Sequence, residues 1–342
     1  MGKPEQPEQP ERLERPVRPE RAEKPERVLR PETPERALQA ERTEQAQRTE
    51  RAGRAEAAAR RAAEPDGEWA RHWRCDGLPG LDLLRAHYVR HTFPRHAHDG
   101  YVLAAVTGGI EEVGLPGGTD LAGPGSVVLI NPEVPHTARA GAPEGWAYAT
   151  LYPDRDLVAE VAADIATVRG TPGFALTTVA DREGARLIAE VHRAAEAGNN
   201  LAADSLLRIA VARMLRRHGA PLPARTVPGA GAAAAERARA VLEDRLADPP
   251  TLEQLAASLG ASPFALLRAF RDRYGMPPHT WLTDARVRRA RRLLERGTPP
   301  ALAAVEVGFT DQPHLNRHFT RIVGVPPGAY RRGRVVAGTP YP

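Results

Sequence analysis

Imidazoles and guanidinium groups are the side chains in this sequence best suited to chemistry, and they fall in two places. His96 and His98 alternate, so on a strand they project from one face, and His136 completes a set of three nitrogen donors of the kind a catalytic metal centre uses. Imidazoles also line organic-ligand pockets or hydrogen-bond within a structure, and Arg95, Tyr101 and Tyr148 add polar groups to the same region. Further along, Arg268 and Arg271 and then Gln312, His314, Asn316, Arg317 and Arg321 combine cations with amide and imidazole groups. Those are the groups that grip phosphates and read base edges.

The second set requires helices to present it. The segment from Pro300 to Arg331 reads as helix, turn and helix, with Ala304 permitting close helix approach and Gly308 able to take positive φ in the turn. Asp311 caps the second helix, and Leu315, Phe319 and Ile322 form its apolar stripe, leaving Gln312, His314, Asn316, Arg317 and Arg321 on other faces. The pattern occurs twice. Leu266, Arg268, Phe270, Gly275, Pro277, Pro278 and Trp281 recur as Leu315, Arg317, Phe319, Gly324, Pro326, Pro327 and Tyr330 at a constant offset of 49 positions. In the first copy Thr251 and Gln254 form a capping box, and Ser262-Pro263 opens a recognition helix. Its outward residues are Phe264, Ala265, Leu267, Arg268 and Arg271.

On these residues, positions 236–334 resemble the DNA-binding region of the AraC/XylS family of transcription regulators. The closing signature of that family is matched by Gly308-Phe309, Phe319, Gly324, Pro327 and Tyr330-Arg331. The resemblance implies two helix-turn-helix units joined by a long helix, with recognition helices in successive major grooves of double-stranded DNA. It also implies an activator that works with RNA polymerase. The joining helix, from about His279 to Glu295, turns Val287, Ala290, Leu293 and Leu294 inward and carries Arg286, Arg288, Arg289, Arg291 and Arg292. A basic face there would attract phosphates, or solubilise the helix, and only some of these arginines are expected to touch DNA.

A chain of 342 residues with 42% hydrophobic content allows two domains and a tail, and its formal charge of +5 fits a polyanionic partner. Residues 1–66 repeat Pro-Glu-Arg with few apolar side chains and read as a disordered tail. No apolar run is long enough to span a membrane, the start lacks an apolar signal segment, and Cys75 stands alone, so a cytoplasmic protein is expected.

From Trp69 to Pro153 short β-like runs alternate with Gly and Pro turns, the texture of a small sandwich or barrel. His96-Ala97-His98, then Pro124-Gly125-Ser126 through Asn131-Pro132 to Pro135-His136, resembles the two motifs of a cupin barrel. Cupins of this kind form the effector-binding domain of many AraC-type regulators. The cupin pattern expects a carboxylate a few residues after the second His, whereas Asp99 is adjacent and Glu111 and Glu112 come late. No metal or other cofactor is therefore expected, and His96, His98 and His136, with Arg95, Tyr101 and Tyr148, are expected to border an organic-effector pocket or to hydrogen-bond internally.

Two helical stripes follow, Leu187, Ile188, Val191 and Ala195, then Leu206, Leu207, Ala210, Val211, Met214 and Leu215. They serve either a homodimer interface or packing onto their own barrel. The expected organisation is a tail (1–66), a cupin-like β-barrel with trailing helices (67–218), a linker (219–235), an all-α tandem helix-turn-helix domain (236–334) and a tail (335–342). The expected function is sequence-specific transcription regulation, without catalysis, controlled by a small molecule in the barrel. A cupin-type metalloenzyme with a DNA-binding appendage and an effector-independent DNA-binding protein are the rival readings.

Overall fold

The computed structural model describes residues 67–75, 77–165, 170–222 and 229–333, all within one compact unit. The expected tails and the middle of the expected linker lie outside the described residues. Nine antiparallel strands come first: β1 (Trp69–Trp73), β2 (Leu81–Tyr88), β3 (Phe93–His96), β4 (Val102–Gly109), β5 (Glu111–Leu115), β6 (Gly118–Ala122), β7 (Ser126–Ile130), β8 (His136–Ala140) and β9 (Trp146–Pro153). With β11 (Thr178–Ala180) they build a six-stranded sheet ordered β1-β2-β9-β4-β7-β11 and a four-stranded sheet ordered β3-β8-β5-β6. A short pair, β10 (Pro172–Phe174) with β12 (Gly219–Pro221), stands apart.

The expected cupin-like closed barrel is not formed. The larger sheet ends on β1 and β11, the smaller on β3 and β6, and among the described residues no ladder joins the two. The arrangement is an open sandwich. Short, turn-punctuated, alternating strands are common to sandwiches and barrels; closure depends on which edges pair, and alternation carries no record of that.

Alternation does explain the layers. On β4, Val102, Ala104 and Val106 enter the core between the sheets, joining Phe93, Val113, Ala138, Trp146 and Tyr148. Leu103 and Ala105 point the other way, into a core shared with helices. Those helices are α1 (Arg155–Ile165), α2 (Arg182–Glu196) and α3 (Asn200–His218). Leu187, Ile188, Val191 and Ala195 of α2 are buried, as are Leu207, Ala210, Val211, Met214 and Leu215 of α3. The α2 stripe thus covers the chain's own sheet, and the α3 stripe, with Leu206 half-buried, packs on α2 and the β10–β12 pair. Asp181 and Asn199 cap α2 and α3 through Gly184 N and Ala202 N.

The remainder is helical: α4 (Ala230–Asp244), α5 (Leu252–Ser258), α6 (Pro263–Tyr274), α7 (Pro278–Glu295), α8 (Pro300–Glu306), α9 (Gln312–Val323) and α10 (Pro327–Arg332). They form two small cores that share α7. Leu255, Leu266, Phe270, Trp281 and Ala285 belong to the first, and Val287, Leu294, Ala304, Leu315, Phe319 and Tyr330 to the second. The Thr251–Gln254 capping box is present.

Candidate nucleic-acid interface and the cavity behind it

Helices α6 and α9 are built alike. Ser262 Oγ accepts from Ala265 N at 3.2 Å and Asp311 Oδ1 from His314 N at 2.7 Å, fixing where each helix begins. Each ends on a glycine in the left-handed region, Gly275 at φ 67° and Gly324 at φ 84°. Leu266 and Phe270 on one, Leu315 and Phe319 on the other, are buried, which turns the opposite faces outward.

On α6 the structure exposes Phe264, Ala265, Arg268 and Arg271 and half-buries Leu267, and the Arg268 guanidinium lies 5.5 Å from the Phe264 ring centre. On α9 Gln312, Arg317 and Arg321 are exposed. His314 and Asn316 are half-buried: His314 Nδ1 is 3.3 Å from Thr310 Oγ1, and Asn316 Oδ1 is buried without a partner among the described residues. Among the described residues, Arg268, Arg271, Arg317 and Arg321 make no ion pair with a carboxylate.

The arginines of α7 behave oppositely. Arg288 Nη1 reaches Asp99 Oδ1 at 2.8 Å and its Nε stands 3.2 Å from Asp284 Oδ2; Arg292 Nη1 reaches Asp99 Oδ2 at 2.9 Å. Arg291 donates to Asp82 Oδ2 at 3.2 Å and to the Tyr330 hydroxyl at 3.1 Å. Arg286 donates to the Leu246 carbonyl at 2.8 Å, and Arg289 lies 3.5 Å from Glu306. All five are engaged within the chain. Burial alone would raise the Asp99 carboxyl, but the Arg288 and Arg292 guanidinium groups bring it below its ordinary value. Burial pushes the Asp284 carboxyl up to about 6 in spite of Arg288.

The C-terminal ends of α6 and α9 both touch the sandwich. Arg95 Nη1 donates to the Gly275 carbonyl at 3.1 Å, and the Tyr88 hydroxyl donates to the Gly324 carbonyl at 3.3 Å. Glu133, itself at φ 64°, accepts from Arg155 at 2.9 Å and faces Arg239 of α4 at 3.4 Å.

Behind this interface lies a cavity of about 50 Å³, lined on the sandwich side by His96, His98, Glu111, His136, Tyr148 and Tyr152. Its helical wall is Val287, Arg288 and Arg291 of α7 with Ile322 and Val323 of α9. The three histidines converge, with ring centres 4.4 Å (His96–His136), 4.9 Å (His96–His98) and 5.2 Å (His98–His136) apart. His98 lies just past the end of β3 rather than on it, so strand alternation is not what brings it there. Burial drives all three imidazoles toward the neutral form, His136 down to about 4. Of the other residues expected here, Tyr148 lines the cavity. Arg95 is turned to Gly275, and Tyr101 donates to the Pro172 carbonyl from within the helix-side core.

Sequence reasoning missed Tyr152, Glu111 and the entire helical wall. For Glu111 a signal existed: it alternates with Val113 on β5, and both are buried. Burial raises its carboxyl to about 7. No local pattern foretells the wall, because its residues come from a region some two hundred positions away in sequence.

Two family models match the chain, an AraC-like ligand binding domain at residues 78–211 and a helix-turn-helix domain at residues 255–333. Over 239 residues, 69% of this chain and 86% of the relative, it is 25% identical to the HTH-type transcriptional regulator YbfI of Bacillus subtilis. It is 36% identical over 85 residues to the regulatory protein Ada of Salmonella typhimurium, spanning 24% of that protein. A crystal structure of ToxT from Vibrio cholerae superposes with a TM-score of 0.47 at 10% identity, covering 78% of this chain and 98% of that one. An AraC-like ligand binding domain followed by a helix-turn-helix domain is the arrangement of an effector-responsive, DNA-binding transcription regulator, and two of the relatives, YbfI and MtrA of Neisseria gonorrhoeae, are HTH-type transcriptional regulators. No described helix is long and apolar enough to cross a membrane.

Proposed function

We propose that the protein is a sequence-specific transcription activator that sets α6 and α9 into successive major grooves on one face of double-stranded DNA. Occupancy of the cavity behind α7 and α9 governs how the two helices are held. The observation that carries this reading is the division of the arginines: those on the recognition helices face outward without carboxylate partners, while those on α7 are spent inside the molecule. On α6, Arg268 and Arg271 grip phosphate or guanine, and Phe264, Ala265 and Leu267 offer apolar contact to thymine methyls. On α9, Gln312, His314 and Asn316 read base edges while Arg317 and Arg321 hold phosphates.

Control of this kind requires the effector to bind the DNA-ready and resting arrangements with different affinity. The shared wall supports that requirement, since whatever enters touches the sandwich, α7 and the second recognition helix α9. Selection of bound sequences from a random DNA pool by the purified full chain tests the reading. Enrichment of one bipartite sequence is expected, and recovery of unselected DNA would refute it.

A further inference from the structure

The cavity limits what its occupant is. At about 50 Å³ it holds an ion with one or two waters, whereas pockets for organic ligands run to roughly 300–1,000 Å³. One donor atom from each of His96, His98 and His136 lies within 4.8 Å of the other two. Ligands bound to zinc at about 2.0–2.1 Å stand about 3.3 Å apart, so a modest closure of the cluster would seat an ion.

The tautomers are already set. His96 Nδ1 lies 2.8 Å from the Pro94 carbonyl and His136 Nδ1 lies 3.0 Å from the Val134 carbonyl, each two residues back along the chain. Carbonyl oxygens only accept, so each Nδ1 carries the proton and each Nε2 keeps its lone pair. Outer hydrogen bonds of this kind orient metal-ligating histidines. Arg288 and Arg291 in the opposite wall are matched by Asp99, Asp284 and Asp82, so an entering dication does not meet uncompensated positive charge.

We propose that His96, His98 and His136 form a three-imidazole site for a first-row divalent transition metal, of the zinc, cobalt or nickel class. Three neutral nitrogens with an open position suit those ions and not magnesium or calcium, which take oxygen ligands. The proposal rests on the regulator reading above and names its effector: by drawing His98, just past the end of β3, onto the paired His96 and His136 beside Val287, Ile322 and Val323, the ion changes how α9 is held.

The test uses tag-free full-length protein stripped with a chelator and titrated with Co²⁺. Stoichiometric binding with visible d–d absorption, displaced by Zn²⁺ and accompanied by a rise in Tm, is expected. Loss of that signal is expected in His98→Ala, whose side chain is only half-buried, and in His136→Ala, but not in His318→Ala, outside the cluster. Absence of one-to-one binding, or binding unchanged in the His98→Ala/His136→Ala variant, would overturn the site. Affinity for the selected DNA is measured on stripped and loaded protein in parallel. Equal affinities would overturn the ion as effector while leaving DNA recognition intact, whereas failure of both forms to select any sequence would count against the regulator reading itself.

Discussion

The two helix-turn-helix units are copies of one pattern, yet the sandwich holds them differently. Unit one meets it through Arg95 on the Gly275 carbonyl, and a Cβ at Gly275 would find Pro135 at 3.1 Å, a contact a small adjustment relieves. Unit two is seated closer: Tyr88 bonds the Gly324 carbonyl, Tyr88 and Phe93 crowd that glycine, and Ile322 and Val323 form part of the cavity wall. Their faces differ as well: each exposes two arginines, beside Phe264 and Ala265 on α6 and beside the Gln312 amide, with His314 and Asn316 half-buried, on α9. The difference teaches that two copies of one pattern are held unequally, the second packing on the sandwich more closely; under the proposed function a signal from the cavity would enter through that second unit.

The cavity's half of that contrast yields the largest expected effect. Glu111 is buried with its carboxyl raised from 4.5 to about 7, so folding favours its protonated form, and stability is lost as pH rises from the unfolded value through the folded one. Glu111→Gln should therefore leave stability little changed below pH ~4.5 and raise it by about 3 kcal/mol at pH 8 relative to the parent chain. Urea unfolding across this pH range checks it; a difference independent of pH would contradict the assignment.

Arg317→Ala should weaken binding to the selected DNA by about 1–3 kcal/mol, roughly 10- to 100-fold, while Leu282→Met leaves it unchanged. Arg268→Ala should cost less, because that guanidinium already lies over Phe264. Titration of labelled duplex would show this, and a larger loss at Arg268 would reverse the ranking of the units. Gly324→Ala should destabilise the fold more than Gly275→Ala; both incur the left-handed penalty of about 1–2 kcal/mol, but only the former meets the Tyr88 hydroxyl. Equal thermal shifts would show the two seats to be equivalent. The smallest effect belongs to Asp99→Asn, which frees Arg292 while Arg288 keeps Asp284, and should steepen the fall of log affinity with log salt by about 1. An unchanged slope would mean that α7 stays away from phosphate.

The repeated helical pattern was legible because helix caps, turn glycines and apolar stripes are local signals; Ser262, Asp311, Gly275 and Gly324 all do what their types suggest. The stripes of α2 and α3 were legible for the same reason; the meeting of His96, His98 and His136 was expected from strand alternation, but His98 reaches it from beyond the end of β3. Three features were not legible. Barrel closure depends on edge pairing between strands far apart in sequence, and the edges β1, β11, β3 and β6 stay open. Asp82 and Asp99, which hold Arg288, Arg291 and Arg292, lie in the sandwich, so a helix that reads as a basic face is in large part a clasp. Glu111 looked too late to reach the histidines, yet the register of β5 with β8 returns it to the same cavity.

The central claim is that α6 and α9 together straddle neighbouring turns of one duplex. Hydroxyl-radical footprinting of the full chain on its selected sequence tests it most directly. The account predicts two protected patches on one face, about 10–10.5 base pairs apart, with Arg317→Ala thinning only the patch under the second unit. A single patch, or one lost as a whole in that variant, would contradict it.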